Sequence, residues 1–232
     1  MSDFFSGSVY FGVMLSIIAY AAGLFLKKKL RHAVFNPLLI SVAIVMLVLL
    51  IFNVDYDTYY EGAKYLSYLL TPATVCLAIP LYQQWQVLKS NIKTIVVSVA
   101  AGVLASLLSI LLLSLLFGFT QGQYVTLLPK SITTAIGIGL AEEVGGSVNI
   151  TVAAIIVTGI TGNVVAEGIV KLFKIKDPIA KGLAIGTSAH AIGTTKAIEI
   201  GEIEGAMSSL AIVVAGLMTV VGASFFAMIP VG

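Results

Sequence analysis

Charge is what this chain has least of. Only 10% of its 232 residues are Asp, Glu, Lys or Arg, while 59% are hydrophobic; a soluble domain carries about 25% charged residues. That scarcity excludes a soluble globular domain and points to an all-α polytopic membrane protein. The net charge of +2 is too small to suggest nucleic-acid binding, and the basic residues cluster between apolar runs. A single cysteine, Cys76, excludes an intramolecular disulfide, and its apolar surroundings suit a packed thiol rather than a nucleophile. With two histidines and one cysteine there is no Cys/His cluster of metal spacing, so no metal or cofactor is expected. Positive charge is also missing before the first apolar run. The start, MSDFF, is unlike the basic opening of a signal peptide, and the run is expected to remain as a span.

What the chain does hold is long apolar runs separated by short charged connections. Spans are expected at about 4–26, 33–52, 62–82, 95–119, 147–170, 182–199 and 206–230. Three connections carry ten of the thirteen Lys/Arg: Lys27, Lys28, Lys29 and Arg31; Lys89 and Lys93; Lys171, Lys174, Lys176 and Lys181. By the positive-inside rule these are cytoplasmic, which places the N-terminus outside and the C-terminus inside. The acidic, aromatic stretch at 53–61 is expected as an external loop with interfacial tyrosines. To keep the loop at 171–181 inside, the semi-polar stretch 128–146 must be re-entrant or interfacial, giving seven crossings in one membrane domain, 1–232.

The stretch 182–205, GLAIGTSAHAIGTTKAIEIGEIEG, sits deep in this apolar chain yet carries Thr187, Ser188, His190, Thr194, Lys196 and Glu199 among five glycines. Polar groups at membrane depth persist mainly where they face protein or a wet cavity, so it reads as the floor of a site. Pro72 and Pro80 interrupt 62–82, with Thr71 and Thr74 beside the first break. The trios within 33–119 and 147–230 would run in opposite orientations, each with an irregular middle segment. That is the 3+3 inverted-repeat layout of many secondary transporters.

Candidate binding groups follow. Thr71, Pro72 and Thr74 would line one half of the site and Thr187, Ser188, His190, Thr194 and Lys196 the other; Lys130 with Ser131, Thr133 and Thr134 offers an anion one positive charge and several hydroxyls. Each has a plainer alternative. His190 either binds substrate or carries a proton, or is a neutral ring bonded between helices. Lys130 can instead snorkel to the interface. Lys196 pairs with a substrate carboxylate, or with Glu199 or Glu202. Glu142 and Glu143 are a proton or ion site, or solvated helix-end charges. Ser188 and His190 are two residues apart, on different helical faces, and no third group completes a catalytic set, so no enzyme is expected. Small-residue spacings at Gly182/Gly186 and Gly201/Gly205 permit close helix contact within this chain or with a partner, and an apolar outer face is compatible with a homodimer.

Three motifs carry a resemblance over essentially the whole chain: LTPATVCLAIPLY at 70–82, LPKSITTAIGIGLAEEVGG at 128–146, and KDPIAKGLAIGTSAHAIGTTKAIEIGEIEGAMSSLAI at 176–212. In this combination and order they resemble the LrgB/CidB family of bacterial membrane proteins. The chain departs from the usual pattern at Ala189, where Ser or Gly is more common before the histidine. The resemblance implies a multi-pass protein of the bacterial cytoplasmic membrane. It also implies two roles: antiholin-like control of murein hydrolase activity and autolysis with a holin-like LrgA/CidA partner, or, as in related plastid glycolate/glycerate translocators, movement of small hydroxy- or keto-carboxylates such as pyruvate. The partners expected are therefore the lipid bilayer, a small carboxylate anion and an LrgA/CidA-like protein.

Overall fold

The computed structural model describes residues 10–30, 36–69, 72, 75–76 and 78–232. The described residues are helical, with no strand among them, and fall into two compact units, 1–76 and 77–232. Among the described residues, four helices are long and apolar enough to cross a membrane.

In the first unit, α1 (Phe11–Leu30) packs against α2 (Pro37–Phe52) and α3 (Tyr56–Ser67). Asn36 caps α2 by accepting from the Leu38 amide at 2.8 Å, and Pro37 takes the first helical position, where its missing N–H is no loss. Asn53 ends the helix in the left-handed conformation. At 16 residues α2 falls just short of the roughly 20 that a span requires. The stretch expected as an external loop, 53–61, is instead helical from Tyr56. Its tyrosines recur at helical spacing, Tyr56 stacks on Tyr60 at 5.7 Å, and the Tyr59 hydroxyl meets Ser16 Oγ at 2.8 Å. Thr71 and Thr74 lie outside the described residues; Pro72 is helical and exposed.

The second unit begins with two short helices, α4 (Ala78–Gln83) and α5 (Trp85–Ser90), and continues into α6 (Ile92–Phe117). Ile95, Val99, Val103, Leu107 and Ile110 recur every three or four residues along α6 and form its buried stripe. Then come α7 (Gln121–Leu127), a 3-10 turn (Leu128–Ser131) and α8 (Thr134–Glu143). Ten residues rise only about 15 Å, half the hydrocarbon thickness, so α8 is too short to cross alone. Three helices complete the unit: α9 (Val148–Leu172), α10 (Pro178–Ile200) and α11 (Glu202–Ala227). α11 packs against α10 and α6, burying Met207, Ala211 and Ala215.

The α10–α11 contact uses the glycines expected to permit close approach. A Cβ on Gly182 would meet Glu204 O at 2.5 Å and Met207 Cβ at 2.7 Å, and one on Gly186 would strike the Ser208 carbonyl. This spacing is therefore consumed inside the chain. α10 is not continuous: His190, at φ 42° and ψ −140°, divides it. The break falls on the histidine rather than on a flanking glycine.

Candidate functional site

A cavity of about 610 Å³ opens between α6, α9, the first half of α10 and the 3-10 turn. On α6, Ser98, Gly102, Ser106 and Ser109 lie on this side, at intervals of three or four residues. α9 adds Thr158, Thr161 and Gly162, and α10 adds Thr187 and Ser188. The Ser188 hydroxyl donates to Ala184 O at 2.7 Å, back-bonding within its own helix.

Lys130 supplies the positive charge. The 3-10 turn carries it into the cavity because Pro129 at the start of the turn and Leu128 are fully buried and hold the turn down. Its Nζ donates to Ser131 Oγ at 2.8 Å and Ser106 Oγ at 3.4 Å, and these two hydroxyls are 3.2 Å apart. Among the described residues, no carboxylate lies within ion-pair distance of Lys130. An ammonium in a largely apolar wall without a counter-charge is costly, and an anion would offset that cost. The arrangement is one fixed cation ringed by small hydroxyls, which suits a small anion better than a large or apolar ligand.

Of the residues expected in the site, the structure brings together Lys130, Ser131, Thr187 and Ser188. Thr133 sits at the start of α8, where its side chain makes no capping bond, and Thr134 follows it; neither lines the cavity. Glu142 and Glu143 are both exposed at the end of α8, and neither lines the cavity.

His190 is buried and is not part of the cavity wall. Its Nε2 lies 3.1 Å from the Ile155 carbonyl, which can only accept, so Nε2 carries the proton. The ring fits because α9 has Gly159 there: an added Cβ would come within 2.7 Å of the imidazole Cε1. The break has its own support. Thr194 Oγ1 donates to the His190 carbonyl at 2.9 Å, so Ser208 Oγ, 2.7 Å away, donates to Thr194. Asn163 on α9 holds the far side, donating to Ile192 O and Thr195 Oγ1, both at 2.9 Å.

Lys196 belongs elsewhere. It pairs with Glu167 at 3.1 Å and Glu199 at 3.3 Å, and Glu167 also pairs with Lys171 at 2.8 Å. These residues line a separate cavity of about 520 Å³ at the end of α9.

The lining residues not anticipated are Ser98, Ser106, Ser109, Thr158 and Thr161. They lie on helices apolar enough to read as plain spans, and the only available signal was the recurrence of hydroxyls and glycine at helical intervals on α6.

Comparison with known proteins gives a consistent result. The model of the LrgB-like family matches residues 16–229. The chain is 38% identical to the antiholin-like protein LrgB of Bacillus subtilis (strain 168), over 92% of this chain and 93% of that protein. It is 35% identical to the holin-like protein CidB of Staphylococcus aureus (strain N315), over 89% of this chain and 90% of that one, and 36% identical to the antiholin-like protein LrgB of Bacillus cereus (strain B4264), over 91% and 93%. No solved structure matches the chain.

Proposed function

Because this chain belongs to the LrgB-like family, we propose that it is a multi-pass membrane component of a holin/antiholin-type system. It acts with a holin-like partner to regulate murein hydrolase activity and autolysis. The observation that carries this reading is the near full-length similarity to proteins named antiholin-like and holin-like. Co-expression with an LrgA/CidA-like protein tests it: the two should co-purify, and deletion of this chain should change the rate of autolysis. Independent purification together with unchanged lysis would exclude it.

A second reading rests on a different observation, the Lys130 cavity. An ammonium with no carboxylate partner among the described residues, beside Ser106 and Ser131 and with threonines from two further helices, supports the binding of a small monocarboxylate of the pyruvate or glycolate class. Taken with the seven-crossing, inverted-repeat topology expected from the sequence, it supports movement of that anion across the membrane. The readings are compatible, since a partner protein can depend on anion occupancy. Lys130→Gln keeps hydrogen-bonding capacity but removes the charge. It should abolish carboxylate binding measured by calorimetry while leaving folded yield unchanged. Retained affinity would remove Lys130 from the site.

A further inference from the structure

The second cavity, at the end of α9, has no part in the anion-transfer reading. Five lysines line it: Lys171, Lys174, Lys176, Lys181 and Lys196. Three carboxylates answer them. Glu167 pairs with Lys171 and Lys196, Glu199 with Lys196, and Glu204 with Lys181 at 3.4 Å. Lys174 and Lys176 have no carboxylate partner among the described residues. The pocket therefore keeps a positive excess after its internal pairs are made.

The backbone at Lys174 is unusual. α9 ends with the Ile175 amide donating to Val170 O at 3.0 Å, and the residue between turns left-handed, at φ 54°. Glycine is the usual occupant of that position, and a residue with a Cβ is strained there. Here the position is lysine, and its side chain lines the basic pocket. Apolar residues flank the same point. Leu172 and Phe173 are 74% and 70% exposed at the end of a helix apolar enough to cross a membrane, and Val170, Ile175 and Ile200 line the pocket with the lysines. Ammonium groups beside exposed apolar side chains at a span end match a ligand with a phosphate head and a hydrocarbon body. A free anion uses only the first half of that surface.

We propose that this pocket binds the phosphate-bearing head group of an anionic membrane lipid, with Lys174 and Lys176 as the cations that recognise it. The test uses the full chain purified in neutral detergent. Native mass spectrometry would follow titration with phosphatidylglycerol, phosphatidylcholine and inorganic phosphate in separate arms. The expected result is preferential binding of phosphatidylglycerol over phosphatidylcholine. It should weaken about fivefold for each lysine neutralised, and so about 25-fold in K174Q/K176Q. K174R/K176R should bind within about twofold of the parent, since each charge is kept. K174G relieves the left-handed residue and should lose lipid affinity without losing thermal stability, which separates ligand recognition from folding. Unchanged phosphatidylglycerol binding in K174Q/K176Q overturns the assignment. So does equal binding of the two lipids, or retention of inorganic phosphate without lipid preference, which would make the pocket a site for a free anion.

Discussion

Lys130 and His190, both candidate binding groups in the sequence, have different surroundings. Lys130 stands in the cavity with two serine hydroxyls and no carboxylate partner among the described residues, while His190 is turned into protein and bonded to Ile155 O. The consequences of substitution differ. His190→Ala removes the partner of a buried carbonyl and should destabilise the chain by about 1–3 kcal/mol, seen as a lower melting temperature in detergent. Its effect on carboxylate affinity should be small beside that of Lys130→Gln. Gly159→Ala places a methyl 2.7 Å from the imidazole and 2.9 Å from Ile192 Cβ; overpacking of this kind costs about 1–3 kcal/mol. A melting temperature equal to the parent's would show that the ring can move aside. Lys130 was legible in the sequence because a lone cation followed by hydroxyls is conspicuous in an apolar chain. The pairing of Lys196 with Glu167 was not, because 29 positions separate them and only tertiary packing joins them.

At the scale of elements, the irregularity of 182–205 was readable and its location was not. Five glycines and several polar groups announced a segment unlike a plain span. Propensity alone puts a break at glycine, yet Gly182 and Gly186 serve close packing with α11 and the chain breaks at His190. Hydrogen bonds support the break there: Ser208 on α11 donates to Thr194, which donates to the His190 carbonyl within α10. Gly186→Leu should therefore force α10 from α11. It should lower expression and stability more than Gly168→Leu, a position with open space around it; equal tolerance of both would contradict the packing. The cavity wall on α6 was hidden for a related reason. The mean hydropathy of 2.6 over its most apolar window describes a lipid-facing helix well. Ser98, Ser106 and Ser109 occupy a narrow stripe that averaging conceals, and their place in a cavity wall shows only when Thr187 and Lys130 are seen with them.

At the scale of the molecule, composition made the membrane setting plain, and four helices among the described residues are long and apolar enough to cross. The acidic, tyrosine-rich stretch after α2 has the polarity of a loop, yet Tyr56 and Tyr60 sit at helical spacing and stack. Orientation can be tested directly: in a Cys76→Ser background, a cysteine placed at Lys176 should be labelled by an impermeant reagent only from the cytoplasmic side. The proposed role with the most direct test is the movement of a small carboxylate through the Lys130 cavity. Uptake of labelled pyruvate and glycolate into proteoliposomes, for the parent and Lys130→Gln, with and without a holin-like partner, tests it most directly. Saturable uptake that Lys130→Gln abolishes is the expected result, and dependence on the partner would join the two proposed roles in one complex. Uptake equal in parent and variant, or none from folded protein in any combination, would contradict it.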